Sequence, residues 1–121
     1  MTRINCVPPE ELSRQHLLAE YRELPRVFAL ADKAYHKREK FVAPSQYTLG
    51  AGHVKFFYQR LAYCSRRFFQ LKAEMLRRGY KPSYQYPPFV EVGTDWFQDW
   101  EPDDAALTIN RQRILERTTQ K

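Results

Sequence analysis

A single carboxylate, Glu23, borders a group of basic and polar side chains in residues 13–36. Placed at about 100° per residue, this stretch forms a helix whose polar side has four members within about 40° of one another. This basic face consists of Gln15, Arg22, Arg26 and Lys33. A cationic face with one acid, next to an N-terminal arm at residues 1–7, suits chemistry on a polyanion. The alternative is a solvated surface on which Glu23 and Arg26 form an ordinary i,i+3 pair, which contributes only about a few tenths of a kcal/mol.

Two apolar stripes predict the helices that position these side chains. Each stripe has six residues at spacings of 4, 3, 4, 3 and 4, which is the pattern of one buried helix face. The first stripe is Leu17, Tyr21, Leu24, Phe28, Ala31 and Tyr35, and the second is Phe57, Leu61, Cys64, Phe68, Leu71 and Met75. Stripes of matched length indicate two long helices that pack on each other.

The start of the first helix has two possible positions. It begins either at the proline and acid turn of residues 8–11 or at Ser13, which would act as its N-cap. Pro25 lies inside the periodic stretch and removes one backbone hydrogen bond. The sequence therefore predicts a kink at residues 21–25.

The other predicted boundaries follow from glycine and acid signals. Gly79 follows two arginines and predicts the end of the second helix. An acidic pair at residues 103–104 predicts the start of a third helix that runs to about residue 118. Between them, residues 80–102 are rich in aromatic residues and proline and show no period. We interpret them as an ordered irregular segment whose rings fill the core, the alternative being that they stack on bases.

The charge of the chain is segregated along its length. Residues 1–81 hold 16 Lys and Arg against 7 Asp and Glu, whereas residues 82–110 hold six acids and no Lys or Arg. The whole chain of 121 residues carries a formal net charge of +6. A basic body of this kind favours a polyanionic partner, of which nucleic acid is the commonest, although other basic proteins share the composition.

Several classes of site and location are disfavoured. The histidines lack metal-ligand spacing and the nucleotide-binding glycine motifs are absent, so we expect neither a metal nor a small-molecule cofactor. No apolar run reaches about 18 residues and no signal sequence is present, so we expect no membrane association. Cys6 and Cys64 form neither a CxxC pair nor a secreted disulfide framework. We therefore expect a cytoplasmic location, and we expect a monomer.

Four blocks of sequence resemble one known family. MTRIN, QHLLAEYRELPRVF, LGAGHVKFFYQRL and AEMLRRGY occur in this order. They closely resemble the pyrimidine-dimer DNA glycosylase of the phage type, also called endonuclease V of the phage type. The resemblance covers most of residues 1–36 and 48–80 and, more weakly, the last helix. With the patterns above, it implies an all-α fold: a single compact domain over residues 1–121, with three helices, an extended N-terminal arm beside the active site and an aromatic-rich irregular segment.

The resemblance also implies an activity and its residues. Enzymes of this family cleave the glycosidic bond of the 5′ pyrimidine of a cyclobutane dimer in double-stranded DNA, then nick the strand by β-elimination at the abasic site. The nucleophile, an α-amine exposed by loss of Met1, maps onto Thr2, and the essential acid maps onto Glu23. The arginines that contact DNA map onto Arg3, Arg22, Arg26, Arg113 and Arg117. Gln15 joins them as a DNA contact because it lies on the basic face.

An α-amine suits this chemistry on physical grounds. Its reference pKa is about 7.7–8.0 against about 10.4 for a lysine amine, so that near pH 7 roughly a tenth is neutral and nucleophilic. Attack on C1′ expels the base and leaves an imine, which acidifies the C2′ proton and permits elimination of the 3′ phosphate. Glu23 can stabilise the cationic sugar and move protons. His16, seven residues before Glu23 on about the same side of the helix, either orients that carboxylate or is structural.

Two alternatives stay open at this point. The chain could be a non-catalytic helical protein that binds nucleic acid through its basic face. It could also direct the same chemistry at another damaged base.

Overall fold

Four α-helices and two short 3₁₀ turns form the regular structure of the described residues. The computed structural model describes residues 4–37 and 44–119. The helices are α1 Arg14–His36, α2 His53–Tyr58, α3 Leu61–Arg77 and α4 Asp104–Thr119, and the turns are Pro9–Glu11 and Thr94–Trp96. Within these ranges no strand occurs beyond a one-residue bridge between Arg60 and Phe97. The predicted all-α fold is confirmed.

The N-terminal end of α1 is capped by Ser13. Its hydroxyl oxygen accepts a hydrogen bond from the His16 N–H at 3.2 Å, which satisfies one of the free donors of the first turn. The first helix therefore starts after Ser13. The other predicted start, the acidic turn upstream, forms the separate 3₁₀ turn Pro9–Glu11. The helix continues through Pro25, which cannot donate to the Tyr21 carbonyl, and the kink expected there remains a prediction.

The core lies where α1 packs against α3 and α2. Every residue of the two predicted stripes is buried except Tyr35, which is half-buried. The rings of Tyr21 and Phe68 stack with their centroids 5.5 Å apart and join the two stripes. The prediction that these stripes face each other is therefore confirmed.

The second predicted helix is divided into α2 and α3, which corrects the expected number of three helices to four. Gln59 and Arg60 leave helical geometry, and the carbonyl of Gln59 accepts a hydrogen bond from the Gln98 N–H at 3.2 Å. The Gln98 carbonyl in turn accepts from the Tyr63 N–H at 3.4 Å. The Arg60 guanidinium donates a hydrogen bond to the Phe56 carbonyl at 2.6 Å and lies over the Phe56 ring. The Arg60 side chain therefore caps the end of α2. A distant segment of chain thus replaces the helical hydrogen bonds at the break.

The end of α3 follows its sequence signal. Gly79 has a φ of 86°, the left-handed conformation that a glycine adopts without strain. The Tyr80 N–H donates to the Met75 carbonyl and the Gly79 N–H to the Leu76 carbonyl, which together form a Schellman motif. The predicted end of this helix is confirmed.

The start of α4 is also as predicted, and the side that it buries is partly polar. The Asp103 carboxylate accepts a hydrogen bond from the Ala106 N–H at 2.8 Å and caps the helix. Ala106 is buried, whereas Ile109 and Leu115 are 41% and 57% exposed. The polar Asn110 has no exposed surface and lies with Ala106 on the inward side of α4.

The irregular segment at residues 80–102 contains both core and surface rings. Trp96 is buried, and the half-buried Trp100 packs edge-on against Phe56 of the core. Tyr86 and Phe89 are 76% and 86% exposed. The prediction that these rings fill the core is therefore wrong for Tyr86 and Phe89, and also for Tyr84 and Phe97, which are 44% and 41% exposed.

Candidate functional site

The basic face of α1 is open to solvent. Gln15, Arg22, Arg26 and Lys33 are all exposed. The first turns of the helix border a shallow cleft lined by Ser13, Arg14, Gln15, Leu18, Ala19 and Arg22. Gln15 and Arg22 are two turns apart on one side of the helix, so they share one surface that a large anionic partner could bind.

Glu23 lies at the boundary between this face and the core. Its side chain keeps 19% of its surface exposed, against 75% for Arg26. The two charged groups are 3.7 Å apart, between Arg26 Nη1 and Glu23 Oε2. Because Arg26 is exposed and can leave this position, the pair contributes about 0–1 kcal/mol and restrains the Glu23 carboxylate only weakly. The ordinary ion pair of the alternative interpretation is present, but it leaves the carboxylate able to take another partner.

Residues 4–7 of the N-terminal arm run through the protein interior, with exposed fractions between 0% and 6%. The Ile4 N–H donates to His53 Nε2 at 2.8 Å, and the Ile4 carbonyl accepts from the Tyr47 hydroxyl at 2.9 Å. Nδ1 of the same histidine lies 2.7 Å from the Thr48 carbonyl and must donate to it. Since Nε2 is then an acceptor, these contacts require the neutral form of His53. The imidazole is a fixed support for the arm.

The other end of the buried arm is held by α4. Asn110 Oδ1 accepts hydrogen bonds from the Cys6 N–H at 2.6 Å and the Val7 N–H at 3.1 Å. Its amide nitrogen donates to Asn5 Oδ1 at 2.7 Å. One buried side chain of α4 thus satisfies three polar groups of the arm, which would otherwise be unpaired in the interior.

A buried ion pair connects the arm to both long helices. The Glu20 carboxylate of α1 accepts two hydrogen bonds from Arg67 of α3, at 2.7 and 3.0 Å, and one from Asn5 Nδ2 at 2.8 Å. Arg67 also donates to the Val7 carbonyl at 2.6 Å. Burial disfavours the charge on Arg67, but the Glu20 carboxylate outweighs it and raises the pKa of Arg67. All partners of this network are satisfied, so the arm has one defined position between the helices.

The two cysteines are unsuited to nucleophilic chemistry. Both are free thiols in buried positions. Burial raises the pKa of the Cys6 thiol to about 12, and it raises the pKa of Cys64 as well. Because the thiolate is the reactive form, neither side chain competes with an amine as the nucleophile near neutral pH.

Two predicted DNA contacts lie on α4. Arg113 is half-buried and Arg117 is exposed. Arg117 follows Asn110 by seven residues, which returns it to nearly the same side of the helix, and Arg113 follows by three. The side of α4 that contacts the arm therefore also carries both arginines.

The remaining predicted site residues differ in how far the structure describes them. His16 is half-buried, and its ring Nδ1 lies 3.2 Å from the Ser13 hydroxyl at the start of α1. It is about 10 Å along the helix axis from Glu23, and its proposed role toward that carboxylate remains a prediction. Thr2 and Arg3 lie outside the described residues. They precede the buried arm, so their roles also remain predictions.

One comparison with known proteins identifies the family. The family model described as pyrimidine dimer DNA glycosylase matches residues 1–87 of the 121-residue chain. The chain belongs to the pyrimidine dimer DNA glycosylase family. The match includes the arm, the basic face, Glu23, the network around Glu20 and all of α2 and α3. The resemblance inferred from the sequence is confirmed.

Membership of the pyrimidine dimer DNA glycosylase family makes the protein a DNA repair glycosylase, whose partner is damaged DNA. None of the helices in the described ranges has the length and apolar character needed to span a bilayer. In the same residues, no three His, Cys, Asp or Glu side chains are grouped as metal ligands. The matched part of the chain ends before Phe89 and α4, so Arg113 and Arg117 lie beyond it.

Sequence reasoning missed the residues that hold the arm, although a signal was present. Glu20 lies between Leu17 and Leu24 at spacings of 3 and 4, and Arg67 lies between Cys64 and Leu71 at the same spacings. Both charged residues therefore lie at the edges of the two apolar stripes, and their charges are opposite. Opposite charges at the edges of two facing stripes indicate a buried ion pair. Asn110 gave no comparable signal because its partners are in the irregular arm.

Proposed function

We propose that this protein is a pyrimidine-dimer DNA glycosylase that also cleaves the resulting abasic site, with the Thr2 α-amine as nucleophile and Glu23 as the acid that supports it. The observation that carries the proposal is the buried arm, because an amine at the start of a fixed segment can be oriented for attack. The family match supports the glycosylase part. The lyase part rests on the chemistry of an amine nucleophile.

The length of the chain supports a pairing of Thr2 with Glu23. Ile4 is two positions after Thr2, so their Cα atoms are at most about 7 Å apart. Asn5 contacts Glu20 at 2.8 Å, and Glu23 follows Glu20 by about 4.5 Å along the same helix. The distance from Ile4 to Thr2 and the distance from Glu20 to Glu23 together allow the Thr2 amine to lie beside the Glu23 carboxylate.

The proposed reaction begins when the neutral Thr2 amine attacks C1′ of the 5′ pyrimidine nucleotide. The new C–N bond replaces the glycosidic bond, and the pyrimidine leaves with the bonding electrons and takes up a proton. The sugar ring then opens to an imine between Thr2 and C1′. Glu23 stabilises the positive charge that develops on the sugar and transfers protons during ring opening.

Strand cleavage follows from the same imine. Its positive charge acidifies the C2′ proton, and removal of this proton expels the 3′ phosphate by β-elimination. Water then hydrolyses the imine and releases the enzyme with its free amine. Arg22 and Arg26 neutralise phosphates on either side of the lesion, while Arg3, Gln15, Arg113 and Arg117 extend the contact surface. The proposed steps need no cofactor.

Borohydride trapping on a duplex with an abasic site tests the proposal. Reduction of the imine should give a stable covalent complex, which should disappear when the α-amine is acetylated before the assay. The Glu23→Gln variant should lose at least 100-fold in glycosylase rate on a dimer-containing duplex, whereas the exposed Glu101→Gln control should keep the wild-type rate. Mass spectrometry of the protein used must first show that Met1 has been removed.

These experiments also distinguish the proposed function from the two alternatives, a non-catalytic binder and a glycosylase for another damaged base. Salt-dependent binding without trapping or nicking, in protein that lacks Met1, would indicate a non-catalytic binder. Trapping on abasic DNA with glycosylase activity on oxidised purines but not on dimers would keep the chemistry and change the substrate.

A further inference from the structure

Tyr86 and Phe89 are the most exposed large apolar side chains in the described part of the chain, at 76% and 86%. They flank Pro87 and Pro88, whose rings fix the backbone torsion φ. A turn stiffened in this way presents its side chains with little loss of conformational entropy when a partner binds. Exposed rings on a stiff turn are typical of a contact surface.

The structure fixes this turn alongside α1. The Tyr21 hydroxyl donates to the Tyr84 carbonyl at 2.8 Å and accepts from the Tyr84 N–H at 2.7 Å. Further along, Asp32 Oδ1 accepts a hydrogen bond from the Glu91 N–H at 3.0 Å. These anchors hold residues 85–90 beside the part of α1 between Tyr21 and Asp32, a length of about 16 Å.

The same part of α1 carries the predicted chemistry. Arg22, Glu23 and Arg26 all lie between the two anchor residues of α1. At about 100° per residue, Arg22 lies about a quarter-turn round α1 from the two anchor residues, whereas Glu23 lies on the far side of the helix from them. The exposed rings therefore border the basic face on its Arg22 side. The family match at residues 1–87 includes Tyr86 and Pro87 and ends before Phe89.

The charges around the rings suit the same partner. Residues 80–90 include Lys81 and no acid. Lys72 of α3 donates to the Gln85 carbonyl at 3.1 Å, and its ammonium lies 6.0 Å from the centre of the Tyr86 ring. Aromatic rings beside cations match bases and phosphates, which is how proteins bind unstacked nucleotides.

We propose that Tyr86 and Phe89 stack on bases of the bound DNA that are unstacked at the lesion, which rests on the proposed function. Tyr86 supplies a flat ring beside a cation, and Phe89 supplies an apolar wedge of the kind that enters an opened base step. A ring that stacks on a base strengthens binding by about 5- to 150-fold. The two rings contact bases and leave the phosphates to the arginines.

The test compares wild type with the double variant Tyr86→Ala/Phe89→Ala. The control is Leu76→Ala, since Leu76 is an apolar residue of α3 that is 57% exposed. The probe is a duplex with a tetrahydrofuran abasic-site analogue beside 2-aminopurine, whose fluorescence falls when it stacks. Affinity is measured over a range of salt concentrations.

We expect the double variant to bind at least 10-fold more weakly and to leave 2-aminopurine brighter in the complex, with Leu76→Ala unchanged. The slope of log affinity against log salt should stay the same, because the rings neutralise no phosphate. Equal affinity of wild type and double variant would overturn the inference, and so would a changed salt slope. It would also be overturned if sedimentation showed a wild-type dimer that the double variant converts to monomer.

The wild-type protein separates this inference from the proposed function. A wild type that binds and cleaves damaged duplex, with an unaffected double variant, removes only the role of the rings. A wild type that does not act on damaged DNA overturns both proposals.

Discussion

Arg66 and Arg67 are neighbours in the sequence but have opposite environments. The Arg66 side chain is 42% exposed and pairs with Asp99, which is itself 59% exposed. Arg67 is 2% exposed and pairs with Glu20, which is 0% exposed. Exposed pairs contribute little, whereas removal of one partner from a buried pair leaves an uncompensated charge. An arginine therefore contributes differently to the stability of the fold at these two adjacent positions.

We predict that Arg67→Met lowers the free energy of unfolding by about 3–5 kcal/mol, because Glu20 would stay buried without its counter-charge. Arg66→Met is the matched control and should cost less than about 1 kcal/mol. Urea unfolding of the two variants and wild type measures both values. Similar losses for the two variants would contradict the assigned role of the Glu20 pair.

Glu74 makes stability depend on acid pH. Hydrogen bonds from Arg77 and then Arg78 lower the pKa of its carboxyl from 4.5 to about 2 in the folded protein. A depressed folded pKa stabilises the fold above the unfolded value, and this contribution is lost as pH falls from about 5 toward 2. The difference in free energy of unfolding between wild type and Glu74→Gln should therefore shrink over that range. A difference that stays constant from pH 6 to pH 2.5 would refute this assignment.

Some residues of the site could be predicted from the sequence and others could not, for a physical reason. Positions on one helix, such as Arg22, Glu23 and Arg26, are related by a fixed period, so their shared surface could be predicted. Glu20 and Arg67 are 47 positions apart in sequence, and only tertiary packing brings them together. Their opposite charges at the edges of the two apolar stripes were the available signal.

At the scale of elements, the arm is held mainly by side chains from elsewhere in the chain. An irregular segment has no hydrogen bonds of its own to satisfy its backbone, so it can be buried only where other elements supply them. Asn110 is the clearest example, because its Oδ1 accepts hydrogen bonds from two N–H groups of the arm.

We predict that Asn110→Ala lowers the free energy of unfolding by about 2–4 kcal/mol, because the Cys6 and Val7 N–H groups lose their acceptor in the interior. Gln112→Ala on the exposed side of α4 is the control, and it should change stability by less than about 0.5 kcal/mol. Chemical denaturation gives both numbers. If Asn110→Ala behaved like its control, water would have to replace the amide and the arm would not depend on α4.

The break between α2 and α3 shows what local patterns cannot predict. The apolar stripe continues from Phe57 to Leu61 without a change of spacing, and neither glycine nor proline separates them. The cause is Gln98, which lies almost 40 residues away and takes over the hydrogen bonds at the junction. Capping signals at Ser13, Gly79 and Asp103 act within a few residues, so the corresponding helix ends could be predicted.

For the whole molecule, charge segregation determines how DNA can approach. The basic residues up to position 81 include the exposed face of α1, whereas the six acids of residues 82–110 all lie between positions 91 and 104. An anionic duplex is attracted to the basic face and repelled by the acidic segment at residues 91–104. The molecule should therefore bind DNA in one orientation.

We predict that affinity for duplex DNA falls steeply with salt and that Arg22→Ala and Arg26→Ala each reduce the salt slope by about 1. Arg66→Met serves as control and should leave the slope unchanged, since Arg66 is not part of the basic face and its guanidinium donates to Asp99 at 3.0 Å and to the Trp100 carbonyl at 2.9 Å. Fluorescence anisotropy from about 50 to 200 mM salt gives these slopes. Unchanged slopes in the α1 variants would exclude the basic face as the main phosphate contact.

The central claim is that the amine of residue 2, carried by a buried arm, forms the bond to the sugar. The most direct measurement is to digest the borohydride-reduced protein–DNA complex and locate the adduct by mass spectrometry. We expect the sugar on the α-nitrogen of Thr2, in the peptide that leads into the buried arm. An adduct on a lysine amine, such as that of Lys33 on the basic face, would contradict the account.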